Sequence, residues 1–207
     1  TLRHSLFDKI FMTFLAIFTI CFGFIVFYAS HVTRNMLVDE RTEVLTNEAF
    51  LIADQTITGY IQGLYSEQDF ESSLQYYAKT LNASIWVTDT KGIIYGFARA
   101  DGHPGNPKNI FFVDQDFDMY TAQSFNGTFF GTFNDDVISV AIPIRTNDKP
   151  NGMILIHSTL EQLHNVQQNI VKLIYAPYLF MIIISFALLG IVSGKIMRPI
   201  RKINSVA

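Results

Sequence analysis

The chain has 207 residues, of which 49% are hydrophobic and 16% are charged, and its formal net charge is −3. An acidic chain without a clustered basic face argues against nucleic-acid binding, and a single cysteine, Cys21, excludes an intrachain disulfide. The averages hide a division, because residues 30–172 hold 17 of the 18 acidic residues and separate two strongly apolar runs.

Residues 10–29 form the first apolar run, 20 residues without a charge, behind a basic start at Arg3 and Lys9. As a helix this run spans a hydrocarbon layer of about 30 Å. A secretory signal peptide is the alternative, but its apolar core is usually about 7–15 residues and ends at a small-residue cleavage site, which this run lacks. We therefore predict a transmembrane helix at 10–29 and a cytoplasmic end at 1–9.

Residues 32–64 contain no proline and carry apolar residues at roughly helical spacing, which predicts a stalk helix that continues the first span. The spacing leaves open whether its apolar face packs on its own domain or on a second copy of the chain. A second, shorter helix is predicted at 69–81.

A run of strand-like segments follows these helices. Two β-branched and aromatic runs around the turn Asp-Thr-Lys-Gly predict a hairpin over 84–97. Further segments predict a short helix at 117–125, strands at 128–133, 137–144 and 152–157, and a turn at 146–152. Ser158 to Glu161 has the Ser-x-x-Glu form of a capping box and predicts a helix at 159–172. The expected fold is therefore α+β, with a roughly five-stranded antiparallel sheet between helices.

The second charge-free run covers residues 173–192, and Pro177 inside it predicts a kink. Basic residues cluster directly after the run: Lys195, Arg198, Arg201 and Lys202. Such a cluster close to a span is typical of the cytoplasmic side. Both termini are therefore predicted to be cytoplasmic and residues 30–172 extracytoplasmic.

Two stretches resemble known families. Trp86 to Ile94 resembles the first hairpin of the PAS-like sensor domains called Cache or PDC, and 140–144 with 152–156 resembles their last two strands. Met-Arg-Pro-Ile-Arg-Lys-Ile at 197–203 resembles the start of a HAMP linker, here assigned to 193–207, whose first helix opens with a proline, Pro199. The order of span, sensor domain, span and HAMP start is similar to that of bacterial sensor histidine kinases.

This resemblance implies the input half of a two-component sensor histidine kinase in a bacterial cell membrane. A stimulus would displace the membrane helices and so control autophosphorylation elsewhere in the protein. No histidine here is followed by glutamate, as in the phospho-acceptor motif, and no Gly-x-Gly is present. No catalytic residue and no cofactor is therefore expected in this chain, and ATP and Mg²⁺ belong to the kinase module.

The partners implied are a second copy of the chain, the lipid bilayer, an extracytoplasmic ligand or protein, and a response regulator. Three alternatives remain open at this stage: a chemoreceptor, a diguanylate cyclase with the same input half, and a membrane-anchored binding protein without output.

Aromatic walls with a charged group suit a small polar ligand, and six residues are candidates to bind one: Trp86, Tyr95, Arg99, Tyr120, Asp135 and Asp136. Each has a structural alternative, since Trp86 and Tyr95 fit a strand core and the two aspartates fit a turn. Pro177 and Pro199 are the predicted positions of signal transmission. Asp114, Asp116 and Asp118 alternate as in a Ca²⁺ loop, but the glycine and glutamate that complete one do not follow, so no metal site is predicted.

Overall fold

A computed structural model describes residues 6–101, 118–146 and 149–192. These residues belong to two compact units, one formed by Arg34–His164 and one by the segments before and after it. The elements, in chain order, are α1 (Leu6–Leu51), a π-helical segment (Ile52–Ile57), α2 (Thr58–Ile61), α3 (Glu67–Leu81), β1 (Ser84–Thr88), β2 (Ile94–Arg99), β3 (Gln123–Gly127), β4 (Val137–Thr146), β5 (Lys149–Thr159) and α4 (Glu161–Val192).

The five strands form one sheet in the order β2-β1-β5-β4-β3, and every neighbouring pair is antiparallel. The predicted five-stranded antiparallel sheet is confirmed. The three central strands β1, β5 and β4 are buried over most of their length. Burial on both faces explains why their sequences read as nearly continuous apolar runs rather than as alternating ones.

The sheet buries a different set of side chains on each face. The face that packs against the helices, called the helix face here, includes Leu45, Ala49, Ile52, Ile57, Phe70, Leu74, Ile85, Val87, Val140, Ile142, Ile154 and Ile156. The other face, called the aromatic face, is built from Trp86, Phe129, Phe133, Val137, Ala141, Met153 and Leu155. The helices therefore cover one face, and the turn that carries Phe129 and Phe133 covers the other.

The predicted stalk helix is confirmed as helical up to Ile61, but its regular hydrogen bonding is interrupted by the π-helical segment Ile52–Ile57. The widened turn buries Ile52, Ala53, Thr56 and Ile57 against the sheet. π-helical turns inside α-helices often mark functional positions. The helical spacing of apolar residues gave no sign of this one.

Helix α3 begins at Glu67, two residues before its predicted start, behind a capping box that the sequence reading missed. The Ser66 hydroxyl accepts a hydrogen bond from the Asp69 N–H at 3.2 Å, and the Asp69 carboxylate accepts one from the Ser66 N–H at 3.2 Å. The capping box predicted at Ser158 is wrong. Ser158 lies inside β5, where its hydroxyl accepts hydrogen bonds from Arg41.

Two predictions between β2 and β4 are wrong. Residues 118–122 are not helical, and the strand predicted at 128–133 is a turn, while the edge strand β3 occupies Gln123–Gly127. Phe129 and Phe130 adopt left-handed conformations with φ of 46° and 54°. Such a conformation costs an L-residue roughly 1–2 kcal/mol, which the burial of the Phe129 ring offsets. The predicted turn at 146–152 is also shorter, because β4 reaches Thr146 and β5 begins at Lys149.

The second unit consists of the N-terminal part of α1 and most of α4. Phe22 and Tyr178 stack at a centroid distance of 3.7 Å, and the Gln167 amide donates to the carbonyl and hydroxyl oxygens of Ser30 at 3.1 and 3.0 Å. Both helices are long and apolar enough to cross a membrane, but the crossing itself stays a prediction. Pro177 lies within α4, and Pro199 lies outside the described residues.

Candidate functional site

A row of side chains crosses the aromatic face at one level of the sheet. Ser84 pairs with Arg99 on one side and with His157 on the other. His157 also pairs with Ser139, which in turn pairs with Phe125. Directly opposed residues of antiparallel strands project to the same face. The row therefore places one cation, two hydroxyls and one imidazole in line across five strands.

His157 is the centre of this row and is 2% exposed. Its Nδ1 lies 2.8 Å from the Ser139 hydroxyl, while its Nε2 is buried and has no hydrogen-bond partner in the described part of the chain. Burial lowers the pKa of His157 to about 3, because desolvation disfavours the charged form. The imidazole is therefore neutral at physiological pH and can accept or donate one further hydrogen bond.

Three aromatic rings surround the imidazole. The ring centroids of Trp86 and Phe129 both lie 4.5 Å from that of His157, and Phe133 lies 4.9 Å away. The indole Nε1–H of Trp86 is also buried without a hydrogen-bond partner among the described residues. Leaving a buried donor or acceptor unpaired costs about 1–3 kcal/mol, and native proteins rarely carry two on adjacent rings.

The two unpaired nitrogens define what the site can recognise. Trp86 offers only a donor, and His157 offers a donor or an acceptor depending on its tautomer. A hydroxyl, carboxyl or amide group meets both requirements. Arg99 stands at the end of the same row on the exposed strand β2, where its fork of N–H donors suits a carboxylate. A small oxygen-bearing group has the chemistry to pair with both nitrogens, but it has to displace packed rings to reach them, since Trp86 and His157 are 0% and 2% exposed.

Of the six predicted ligand residues, Arg99 belongs to this row and Trp86 lies beside it on the aromatic face. Tyr95 lies on β2 at a register irregularity, and its ring stacks on Phe70 of the helix face at 6.3 Å. Burial there raises the pKa of Tyr95 to about 12, with smaller contributions from the charges of Tyr60 and Asp89. Tyr95 is therefore separated from the aromatic face, and from Trp86, by the sheet.

Tyr120 lies in a groove beside the π-helical segment, with Phe50, Asp54 and Arg145 among the lining residues. The Arg145 guanidinium donates to the Tyr120 carbonyl oxygen. Hydrogen bonds from the Thr121 hydroxyl and the Tyr120 N–H hold the pKa of Asp118 below its ordinary value. Tyr120 is thus placed at one end of β4, away from the row.

The two predicted aspartates precede β4. Asp135 is exposed, and Asp136 lines a polar groove together with Arg34 and Asp39 of α1. Neither belongs to the row of the aromatic face. Among the described residues no group of three His, Cys, Asp or Glu side chains is placed to hold a metal ion, and Asp114 and Asp116 lie outside them.

Six residues of the site were not among the predicted candidates: Ser84, Phe125, Phe129, Phe133, Ser139 and His157. One signal could have found two of them. In the predicted strands 137–144 and 152–157, two-residue alternation places Ser139 and His157 on the face opposite Ile138 and Ile156. A hydroxyl and an imidazole opposite apolar neighbours indicate a polar position inside a sheet face.

Comparisons with known proteins give distant likenesses only. No family model and no curated protein matches the chain. The ligand-binding domain of the Pseudomonas fluorescens chemoreceptor CtaA, in complex with L-serine, is 16% identical with a TM-score of 0.41, and the match covers 65% of this chain and 58% of that one. The extracellular domain of a protein described as a histidine kinase, vpHK1S-Z8, is 15% identical with a TM-score of 0.40, covering 68% and 62%.

A third similar structure is the ligand-binding domain of the Pseudomonas aeruginosa PAO1 amino acid chemoreceptor PctC in complex with GABA. It is 12% identical with a TM-score of 0.43, and the match covers 70% of this chain and 66% of that one. The chain therefore spans less than two-thirds of each of these three structures. Two of the three are ligand-binding domains of chemoreceptors, and the other is the extracellular domain of a protein described as a histidine kinase.

Proposed function

We propose that this chain is the input half of a bacterial transmembrane receptor, and that a small polar ligand on its aromatic face shifts the two membrane helices. Residues 30–172, called the outer domain here, lie outside the cytoplasm, and both termini lie inside the cell. The output module we propose is a histidine kinase, reached through a HAMP linker that begins at 193–207, in a homodimer that passes phosphate to a response regulator.

One observation carries the proposal: α1 is a single helix of 46 residues whose two halves have different surroundings, the first exposed and apolar, the second packed against the sheet. Its N-terminal half is an exposed apolar run, with Phe24 and Phe27 exposed by 67% and 72%. Its C-terminal half is buried in the helix face through Leu45 and Ala49. A continuous helix gives a change at the sheet a direct backbone path to the apolar run. A soluble binding domain has no need of such a connection.

Ligand binding is tested with the only tryptophan of the chain, Trp86, which lies in the candidate site. The full chain in lipid nanodiscs is screened with small carboxylic acids, amino acids and polyols while tryptophan emission and thermal unfolding are recorded. We expect at least one compound to change the emission and to raise the melting temperature, because a ligand that binds only the folded state stabilises it.

The variant His157→Asn should weaken binding of that compound at least tenfold, since it removes one of the two unpaired ring nitrogens of the site. Tyr95→Phe is the matched control: it alters a predicted candidate on the helix face and should leave the affinity unchanged. If the compound binds both variants as it binds the original chain, the aromatic face is not the ligand site.

The output is tested separately by sequencing the gene beyond the codon of Ala207. We expect a His-Glu-x-x-Thr-Pro motif followed by a glycine-rich nucleotide-binding module. A methyl-accepting coiled coil or a cyclase domain in its place would retain the sensor and replace the kinase. A stop codon close to Ala207 would leave only a membrane-anchored binding protein.

A further inference from the structure

Arg41 of α1 joins three elements of the outer domain. Its Nε and Nη2 donate to the Ser158 hydroxyl of β5 at 3.3 and 3.1 Å, and Nη2 also donates to the carbonyl of Leu81, the last residue of α3. The guanidinium is half-buried, and desolvation lowers the pKa of Arg41. An arginine nevertheless stays charged, so a half-buried cation is held here by two neutral oxygens.

Both acceptors are attached to the candidate site by short stretches of backbone. Ser158 follows His157 in β5, and successive strand residues point to opposite faces. His157 therefore faces the aromatic rings while Ser158 faces α1. Leu81 precedes Ser84 by three residues, and Ser84 is the β1 partner of His157. Arg41 thus contacts β5 directly, on the face opposite His157, and is connected to β1 only through the chain between Leu81 and Ser84.

Ser158 also stands close to the start of α4, which begins at Glu161. The contact between Arg41 and Ser158 therefore ties α1 to the segment from which α4 departs. These are the two helices whose apolar parts we predict to cross the membrane. A displacement of β5 by about 1 Å away from Arg41 would lengthen these two contacts, now 3.3 and 3.1 Å, to about 4 Å, which is too long for a hydrogen bond.

We propose that Arg41 is the positioning residue through which the state of the aromatic face sets the position of α1 relative to α4. The inference rests on the proposed function, because it assumes that the site signals to the membrane helices. Charge-assisted hydrogen bonds of a guanidinium are directional, so the Arg41 contacts distinguish two positions of β5. A ligand that engages His157 biases β5, and Arg41 passes that bias to α1.

The chain carries a natural reporter at each end of this route. Trp86 is its only tryptophan and lies in the site, and Cys21 is its only cysteine, exposed on α1 within the first predicted span. Trp86 emission then reports on the aromatic face, and the spectrum of a spin label on Cys21 reports on the membrane part of α1. Both are measured on the full chain in lipid nanodiscs.

The experiment compares four proteins: the original chain, H157N, R41Q and the double variant. H157N changes the site, and we expect it to shift Trp86 emission whether or not Arg41 is present. We expect it to shift the Cys21 label only when Arg41 is present, so the shift is lost in the R41Q background. A purely structural Arg41 would change stability and leave the response of the label to H157N intact.

Three further variants distinguish the effect of losing the hydrogen bonds between Arg41 and Ser158 from a general loss of folding. Arg34→Gln removes another arginine of α1, seven residues earlier and exposed, and should leave the label response unchanged. Ser158→Ala removes the hydroxyl acceptor and should abolish the response as R41Q does, even if R41Q itself folds poorly. Ser158→Thr keeps a hydroxyl and should preserve the response.

The outcomes distinguish this inference from the function on which it rests. If H157N shifts the spectrum of the Cys21 label equally in the original, R41Q and S158A backgrounds, Arg41 does not connect the site to α1, and only the proposed sensor function stands. If H157N shifts Trp86 emission but never the Cys21 label, the site does not signal to α1, and both proposals are overturned.

Discussion

Gly152→Ala should destabilise the outer domain more than any other alanine substitution of its described glycines. Gly152 has a φ of 150°, in a region that L-residues rarely adopt, and an added Cβ would overlap the carbonyl oxygen of Thr88. The overlap cannot be relieved by a rotamer change, because the obstacle is backbone. Strain and overpacking together predict a loss of roughly 3–6 kcal/mol, which is a large part of the stability of an ordinary domain.

The geometry follows from a bulge. Ile144 pairs with Gly152, but Arg145 pairs with Pro150, so Asn151 has no partner. The extra residue bends β5. At this bend Gly152 lies so close to the Thr88 carbonyl that only a residue without a Cβ fits. Thermal unfolding of the full chain, followed by Trp86 emission, should show a melting temperature lower by roughly 10 °C or more.

Gly127→Ala is the matched control. Its φ is 126°, but no atom lies within 4 Å of the added Cβ, so only backbone strain of roughly 1–3 kcal/mol is expected. Equal melting temperatures for the two variants would mean that β5 does not approach Thr88 as described, and that the register of β1 with β5 needs revision.

The sheet was predictable from the sequence where burial repeats with a clear period. The hairpin over 84–97 and strands β4 and β5 were predicted because apolar runs bounded by turn residues are a strong local signal. Strand β3 was not, since Gln123–Gly127 is a partly exposed edge with polar residues. The turn after it contains two phenylalanines with positive φ, Phe129 and Phe130. The Phe129 ring packs on Trp86, a long-range contact that local propensities do not reveal.

The site was predictable in part for the same reason. Trp86 and Arg99 stand out by residue type, whereas His157 matters because the sheet order places β5 between β1 and β4. Strand order is a long-range property, and without it His157 is one histidine at the end of a strand. Tyr95 lies on the face opposite Trp86 because of the register irregularity between Val87 and Thr88, which the residue types alone do not reveal.

Acidification from pH 7 to pH 5 should destabilise the outer domain through His157. The pKa of this residue is about 3 in the folded chain, whereas the ordinary value for a histidine is 6.5. The unfolded chain therefore binds more protons than the folded one between these values, so the free energy of unfolding falls as the pH falls through 6.5. For this single group the loss between pH 7 and pH 5 is about 2 kcal/mol, and between pH 7 and pH 3 it is about 4 kcal/mol.

The pH window separates His157 from the carboxylates. Asp69 and Asp118 have pKa values held below 3.8 by hydrogen bonds, so their contributions are lost at lower pH than 5. Among the described residues, the groups beside the imidazole are the rings of Trp86, Phe129 and Phe133 and the hydroxyls of Ser139 and Ser84, none of which titrates in this range. The charged Arg99 lies in the same row, two strands away on β2.

His157→Asn removes the titrating group and keeps an amide that can bond to Ser139. We expect urea unfolding of H157N to show about 2 kcal/mol less difference between pH 7 and pH 5 than the original chain shows. His164→Asn, which removes an exposed histidine of α4, should leave that difference in place. An unchanged difference in H157N would show that the imidazole is solvated in the folded state. The aromatic face would then be open to water before any ligand binds, and a water molecule would accept the hydrogen bond of the Trp86 Nε1–H.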